Sequence, residues 1–377
     1  MVILKILLFI LCLSILIVVH ELGHFSLAKA FGVYVEEFSL GFGPKIFSKK
    51  RKNGETTFSL RCLPLGGYVA MPDSYDDLSD EEKEKLPCGK ERTLSGIAKW
   101  KKVLVLLGGV TINFIVSLFI LSTFYMVTPT KADLSPTVYV AESSIAYDAG
   151  LRQDMTISHF KISGYSDATE FEVETDVEKS SDVFTLTNQL VKDYPAILPS
   201  DYANMEFTIK DVEEKITCQT TPYIENDEIL GWKAIGIGYN KVRAGFFESI
   251  GLGFKTFGEA TVETFKALGR IITFQPGAAK EVTGPVGIYQ ASDYLLTVGG
   301  ASYYYYLWGV VSLSLGLMNL LPIPGLDGWQ TIVTVIEAIR RKDFKAKTKN
   351  IISMVGIAFL MLVGVAVLIK DIVFLFI

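Results

Sequence analysis

Histidine is scarce in this sequence: His20, His24 and His159 are the only three among 377 residues. The four cysteines are scattered without C-x-x-C or other paired spacing, which excludes a disulfide framework and a cysteine zinc site. Lysine and arginine (36) are outnumbered by aspartate and glutamate (41), so no basic surplus indicates a nucleic-acid partner. Few histidines are therefore available as imidazole ligands of a metal site.

Long apolar runs are abundant instead. Half of the residues are hydrophobic (50%) and the mean hydropathy is +0.35, which is typical of a membrane protein with a sizeable water-exposed part. A helix needs about 20 apolar residues to cross the hydrocarbon core of a bilayer. We therefore predict a polytopic α-helical membrane protein with about four transmembrane helices, at 1–31, 103–127, 303–322 and 351–377.

Basic residues orient these predicted helices, because cytoplasmic loops carry an excess of lysine and arginine. The segment 340–349 has six basic residues and 32–102 has thirteen, whereas the longer segment 131–245 has only ten. We therefore predict that 32–102 and 340–349 are cytoplasmic and that an inserted domain at 128–242 is extracytoplasmic.

The predicted extracytoplasmic domain has short β-prone runs separated by turns, which indicates an α+β fold. Its acidic part, 166–182, is predicted to be an inserted loop, and His159 a structural or surface residue. The next segment, 246–274, has apolar residues at helical steps of three and four but too many charges for a span. We predict an amphipathic helix at the membrane interface. The alternative is a helix packed on the extracytoplasmic domain.

Within the first cytoplasmic loop, residues 56–71 are β-prone and contain two consecutive glycines. This pattern predicts a membrane-associated β-hairpin or sheet, followed by a solvated loop at 73–92. A helical substrate must unwind before its peptide bonds can be attacked, and an exposed strand edge can hold it extended by β-augmentation. A purely structural hairpin is the alternative.

One polar cluster interrupts the first apolar run. Its sequence, HELGH, matches H-E-x-x-H, in which His20 and His24 share a helix face and can hold one Zn²⁺. Glu21 can then act as general base on a water molecule. Such pentapeptides also occur by chance in soluble helices. In lipid, however, three polar groups need compensation, and a metal with its water supplies it.

A catalytic zinc usually takes three protein ligands, and no third suitable histidine is present. Asp327 stands out in NLLPIPGLDG (319–328), where Pro322 and Pro324 break the helix at the end of the third predicted span. This carboxylate is the candidate third ligand; the alternative is that it caps the following helix. Asn319 could hydrogen-bond to substrate or could tie two helices together.

These motifs resemble the site-2 protease family of intramembrane zinc metalloproteases, most closely its bacterial regulator-of-sigma-E protease branch. HELGH and NLLPIPGLDG match the two signature motifs of that family. GFGPKI (41–46), LPLGGYVAM (63–71) and TGPVGIYQ (283–290) match accompanying segments. SSIAYDAGLRQDM (143–155) resembles the start of the family's PDZ domains. The resemblance covers nearly the whole chain.

The resemblance implies zinc as cofactor, with His20, His24 and Asp327 as ligands and Glu21 as catalytic base. It also implies substrate contacts for the signature asparagine and for the glycine turn of the β-region, which are Asn319, Gly66, Gly67 and Tyr68.

The same resemblance implies single-span membrane proteins as substrates, of the anti-sigma factor or remnant signal peptide type, cleaved in regulated intramembrane proteolysis at a bacterial plasma membrane. It implies one PDZ-like domain and a gating role for 246–274. There are departures from the family pattern. GGVTIN (108–113) replaces a Gly-Pro-x-x-Asn pattern, and the PDZ-like segment lacks the usual Gly-Asp. We therefore expect a domain that either binds peptide or acts as a size filter.

The sequence thus predicts an intramembrane zinc endopeptidase embedded in the lipid bilayer. A non-catalytic membrane PDZ scaffold with a vestigial metal site is the alternative, against which the intact Glu21 argues. A metal transporter would need further carboxylates or histidines along the spans, and the predicted spans offer almost none.

Overall fold

A computed structural model describes residues 2–50, 54–72, 87–153, 155–210, 214–225, 228–273, 275–277 and 282–373. Most of the predicted solvated loop, 73–86, and the last four residues of the fourth predicted span lie outside the described residues.

The chain forms two compact units, one built from 1–127 and 245–377 and the other from 128–244. The elements, in chain order, are α1 (Val2–Ala30), β1 (Glu37–Lys50), β2 (Thr57–Ala70), α2 (Lys99–Val127), β3 (Lys131–Ala132), β4 (Tyr139–Val140), α3 (Ile145–Asp148), β5 (Ile157–Ser166), β6 (Thr169–Asp176), α4 (Ser180–Asp193), β7 (Tyr202–Ile209), β8 (Lys215–Thr220), β9 (Pro222–Glu225), β10 (Glu228–Trp232), β11 (Ile237–Gly238), β12 (Lys241–Val242), α5 (Phe246–Ile272), α6 (Pro285–Val298), α7 (Gly300–Leu320), α8 (Asp327–Arg340) and α9 (Ala346–Val373).

Among the described residues, three helices of the first unit are long and apolar enough to cross a bilayer: α1, α2 and α9. The protein is therefore a membrane protein, as the sequence predicts. The third predicted span, 303–322, coincides largely with α7, a helix of 21 residues that has four consecutive tyrosines in its first turns and is not one of these three. The total of four spans stays a prediction.

Helix α2 is the centre of the first unit, where it packs against α1, α5, α7 and α8. It contacts α5 through the Tyr125 hydroxyl, 2.8 Å from Thr256 Oγ1, through Ser122 against Gly253, and through Phe114, whose ring centroid lies 5.5 Å from that of Phe257. Other large apolar side chains of α5 are exposed, among them Phe247 with 85% of its surface. An exposed apolar face is what the predicted interfacial helix needs.

Strands β1 and β2 fold back on themselves and form one sheet. Residues 37–40 pair in parallel with 57–60 on one side and in antiparallel fashion with 67–70 on the other. The second half of β1 pairs with the far side of 57–60. The segment 67–70 is therefore an edge of this sheet, and it begins at the two glycines that the sequence predicts as a turn.

The second unit is an α+β domain around a four-stranded antiparallel sheet with strand order β6-β5-β7-β8. Helix α4 covers one face, and the core centres on Phe160 and Phe207, whose rings stack with centroids 4.6 Å apart. The acidic segment 166–182 was expected to be a loop, and this is wrong: it forms β6 and the start of α4. His159 is a surface residue whose Nδ1 lies 2.9 Å from Asp176.

Replacing Phe160 with alanine should destabilise the second unit by about 3–5 kcal/mol, because the ring is fully buried and its removal leaves a cavity. Tyr165 lies in the same strand and is 39% exposed, so Tyr165→Ala should cost less than about 1 kcal/mol. Proteolysis of the purified full-length protein in increasing urea measures both values. Equal losses for the two variants would contradict the assigned core.

Candidate metal centre

Helix α1 presents His20 and His24 one turn apart, and both are buried, with 8% and 7% exposed. They reach this position because α1 and α2 approach each other at glycines. A Cβ atom on Gly23 would overlap the backbone of Gly108, and a Cβ atom on Gly109 would overlap both imidazole rings. The pocket for the two rings exists because these positions of α2 have no side chain.

Asp327 reaches the two histidines from the start of α8. Helix α7 ends at Leu320, and the following turn contains Gly325 in a left-handed conformation with φ of +103°. The cap residue of α8 is Leu326, which has no side-chain cap bond, so the alternative of Asp327 as a helix cap does not hold. The carboxylate is directed at the histidines instead.

The three ligand atoms form a nearly equilateral triangle. Asp327 Oδ2 lies 3.2 Å from each histidine Nε2 atom, and the two Nε2 atoms are 3.3 Å apart. Ligands about 2.0–2.1 Å from a tetrahedral metal are about 3.3 Å from one another, so these atoms are spaced as three corners of a zinc tetrahedron. Among the described residues, Asp327 Oδ2 is buried without a hydrogen-bond partner. The residues therefore fit a metal that leaves the fourth corner open.

The backbone of α2 fixes the tautomer of His24. Its Nδ1 atom lies 2.8 Å from the carbonyl oxygen of Val105. A carbonyl oxygen can only accept, so Nδ1 carries the proton in the neutral ring and Nε2 offers its lone pair to a metal.

Asn113, to which the sequence assigned no role, makes the corresponding contact with His20. Its amide lies 3.2 Å from His20 Nδ1, and its Oδ1 atom is buried with no partner in the described part of the chain. An amide has two interchangeable orientations. With Oδ1 toward the ring, Asn113 accepts the Nδ1 proton and leaves Nε2 as the ligand. A spacing of four residues places Val105, Gly109 and Asn113 on one face of α2. This repeat is the sequence feature from which a role for Asn113 beside the histidines could have been predicted.

Glu21 lies between the three ligand residues and the sheet edge. The backbone N–H of Val69 donates a hydrogen bond to its carboxylate. Gly67 lies close to its side chain, since a Cβ there would be 3.2 Å from Glu21 Cγ. A candidate general base and the edge segment 67–70 thus meet beside the candidate metal ligands.

Only some of the candidate substrate-binding residues lie beside Glu21. Gly66 and Gly67 open the edge segment 67–70 beside Glu21. The Tyr68 hydroxyl donates to Glu37 at 2.9 Å, so its side chain belongs to the sheet and only its backbone is at the edge. The Asn319 amide donates to the Leu315 carbonyl at 3.0 Å, a bond within α7 that joins no second helix.

A charged cluster supports this sheet. Arg61 contacts Glu37 and donates to the Tyr68 hydroxyl, and Lys45 lies 3.1 Å from Glu37. Partial burial disfavours the charged form of Glu37, but hydrogen bonds from Ser59, Lys45 and Tyr68 prevail and lower its pKa to about 2.

Comparison with known proteins identifies the family of this chain. A profile of peptidase family M50 matches residues 8–363. The chain belongs to peptidase family M50, the site-2 protease family. The resemblance seen in the sequence is confirmed.

Several M50 relatives match over almost their whole length. A Clostridium perfringens protein named as a zinc metalloprotease is 31% identical over 97% of both chains. The Enterococcus faecalis protease Eep is 26% identical, also over 97% of both chains. A Helicobacter pylori protein named as a zinc metalloprotease is 29% identical over 96% of this chain and 97% of its own. The protein is thus related along its whole length to metalloproteases.

A methyl group at position 109 should displace the imidazoles. We expect Gly109→Ala to weaken zinc binding by about tenfold or more, because its Cβ would overlap His20 and His24. Gly364→Ala in α9 is the matched control, since its Cβ would meet no described atom within 4 Å. Zinc affinity measured by chelator competition tests this, and equal affinities in the two variants would contradict the close approach.

Glu37 should stabilise the protein in a pH-dependent way. Its pKa is about 2 in the folded protein and 4.5 ordinarily, so its contribution is complete above pH 4.5 and is lost as the pH falls toward 2. The difference in thermal unfolding temperature between the unaltered protein and Glu37→Gln should therefore shrink below pH 4.5. A difference that stays constant on acidification would disprove this assignment.

Proposed function

We propose that this M50 peptidase is an intramembrane zinc endopeptidase that cleaves the transmembrane segments of single-span membrane proteins. The observation that carries the proposal is the triangle of His20, His24 and Asp327, with edges of 3.2–3.3 Å, in which both histidines belong to a helix apolar enough to span a bilayer. A ligand set with two members on such a helix fits hydrolysis of a substrate that arrives through lipid.

In the proposed mechanism, His20, His24 and Asp327 hold zinc, while Val105 and Asn113 keep the two rings in the ligating tautomer. When bound, zinc acts as a Lewis acid that polarises a peptide carbonyl and activates water for attack. Glu21 accepts the proton of the attacking water and delivers it to the nitrogen of the leaving amine.

The sheet edge supplies substrate orientation. A transmembrane helix shields its peptide bonds by its own hydrogen bonds, so cleavage requires a locally extended segment. The edge 67–70 can pair with such a segment by β-augmentation, and Gly67 brings that edge against Glu21. This supports a route in which the scissile bond is presented between strand edge and metal.

The position of the motif in α1 supports a site near the cytoplasmic boundary. The helix has 29 residues and is therefore about 43 Å long, which exceeds the hydrocarbon thickness. HELGH lies in its last third, and Lys29 near its end pairs with Glu55 in the loop between β1 and β2, which is part of the predicted cytoplasmic region. We place the protein in a bacterial plasma membrane, with substrates of the anti-sigma factor or remnant signal peptide type and a PDZ-like extracytoplasmic domain.

The Glu21→Gln variant tests the mechanism. It should retain stoichiometric zinc, because the three ligands are intact, and should lose cleavage of a reporter transmembrane peptide by a factor of about 10² or more. Zinc content and cleavage are measured on the same purified sample. Undiminished cleavage by Glu21→Gln would disprove the catalytic role of Glu21. If the unaltered protein binds zinc but cleaves no transmembrane reporter, the result favours the alternative of a non-catalytic scaffold.

In the same experiment, two further variants distinguish a zinc ligand from a residue that contacts substrate. Asp327→Ala should lose zinc, because one corner of the triangle is removed. Asn319→Ala should keep zinc, because its amide is bonded within α7.

A further inference from the structure

The geometry points to Glu337 as the residue that positions Asp327 for metal binding, from the opposite end of α8. This inference rests on the proposed zinc site. Glu337 is 1% exposed, and burying a carboxylate is unfavourable unless its charge and lone pairs are compensated. Its position within a helix of mixed apolar and polar residues does not single it out.

Three groups from three different segments compensate this carboxylate. Oε2 lies 3.3 Å from the ammonium of Lys99, the first residue of α2. Oε1 lies 3.3 Å from Lys349 in the first turn of α9 and accepts the backbone N–H of Phe344 at 3.0 Å. Lys99 is itself held by Asp343 at 2.7 Å. Glu337 therefore joins α8 to α2 and to the start of α9.

These contacts matter for the metal because α8 is a rigid rod whose direction determines where its first residue lies. Its first residue is Asp327, its cap makes no side-chain bond, and the preceding turn contains a left-handed glycine. Glu337 lies ten residues further on, about 15 Å along the axis. A tilt of only about 4° about that point would move Asp327 by about 1 Å, which is enough to spoil the triangle.

Helix α2 provides the common reference for both halves of the site. At Gly108, Val105 and Asn113 it fixes the histidine helix, and at Lys99 it fixes the helix that carries Asp327. Glu337 thus links the third ligand to the helix that already holds the first two. It does not contact the ligands, and it is a positioning residue.

The test uses the purified full-length protein with Glu337→Gln, which keeps the shape and an acceptor for Phe344 but removes the charge. We expect the zinc dissociation constant to rise about tenfold and kcat to fall, with KM unchanged because the strand edge is intact. The visible absorption of the Co²⁺-loaded protein should lose the intensity typical of tetrahedral coordination. Glu337→Asp, which retains the charge, should recover most of the zinc affinity.

Matched controls separate positioning from general stability. Glu206→Gln removes one member of a surface ion pair with Lys215 in the second unit and should leave zinc affinity unchanged. If Glu337→Gln does not fold, Lys349→Met removes one of the partners of Glu337 and should raise the zinc dissociation constant by about threefold.

Two outcomes would overturn the inference in distinguishable ways. If Glu337→Gln lowers the thermal unfolding temperature but leaves zinc affinity and the Co²⁺ spectrum unchanged, Glu337 is merely structural. If the unaltered protein binds no zinc, the proposed function fails, and the positioning role falls with it.

Discussion

The close approach of α1 and α2 at Gly23, Gly108 and Gly109 is the constraint on which the rest of the site depends. Hydrophobic burial does not drive helices together within lipid, so packing there relies on small residues that allow backbones to approach. At this crossing, the absent side chains leave room for two imidazoles. The same contact that holds the helices together therefore creates the metal pocket.

The imidazoles of His20 and His24 at this crossing also need hydrogen-bond partners. Each ring nitrogen that does not face the metal needs a partner of its own, since an unsatisfied polar group is costly in a low-dielectric interior. The carbonyl of Val105 and the amide of Asn113 meet this need from one face of α2. Ser312 in turn donates to the backbone carbonyl of Asn113 at 2.9 Å, which extends the network to α7. The two rings are thus held by contacts with α2 that do not involve a metal.

The sequence predicted those parts of the site that are local in the chain or made conspicuous by scarcity. HELGH is a five-residue pattern, and Asp327 was conspicuous because it follows a broken apolar helix. The partners of Asn113 and Glu337 could not be identified in this way, because those partners depend on which helix faces which. The acidic segment 166–182 was misread as a loop because its many acidic residues concealed an alternation in which Phe171 is buried between exposed glutamates. The parallel pairing of 37–40 with 57–60 is likewise a long-range choice that composition does not encode.

The sheet edge raises a physical question of its own. A strand edge with free backbone groups is not tolerated against lipid and persists only where it is covered by protein or lines a wet cavity. Hydrolysis also requires a wet cavity here, because the attacking water must reach the candidate metal ligands. Glu21 lies where these two requirements meet, because its carboxylate accepts the edge N–H of Val69 and neighbours the candidate histidine ligands. In the proposed mechanism an incoming extended segment would compete for that N–H, so binding of substrate and release of the base toward the water would be a single event at one edge of the sheet.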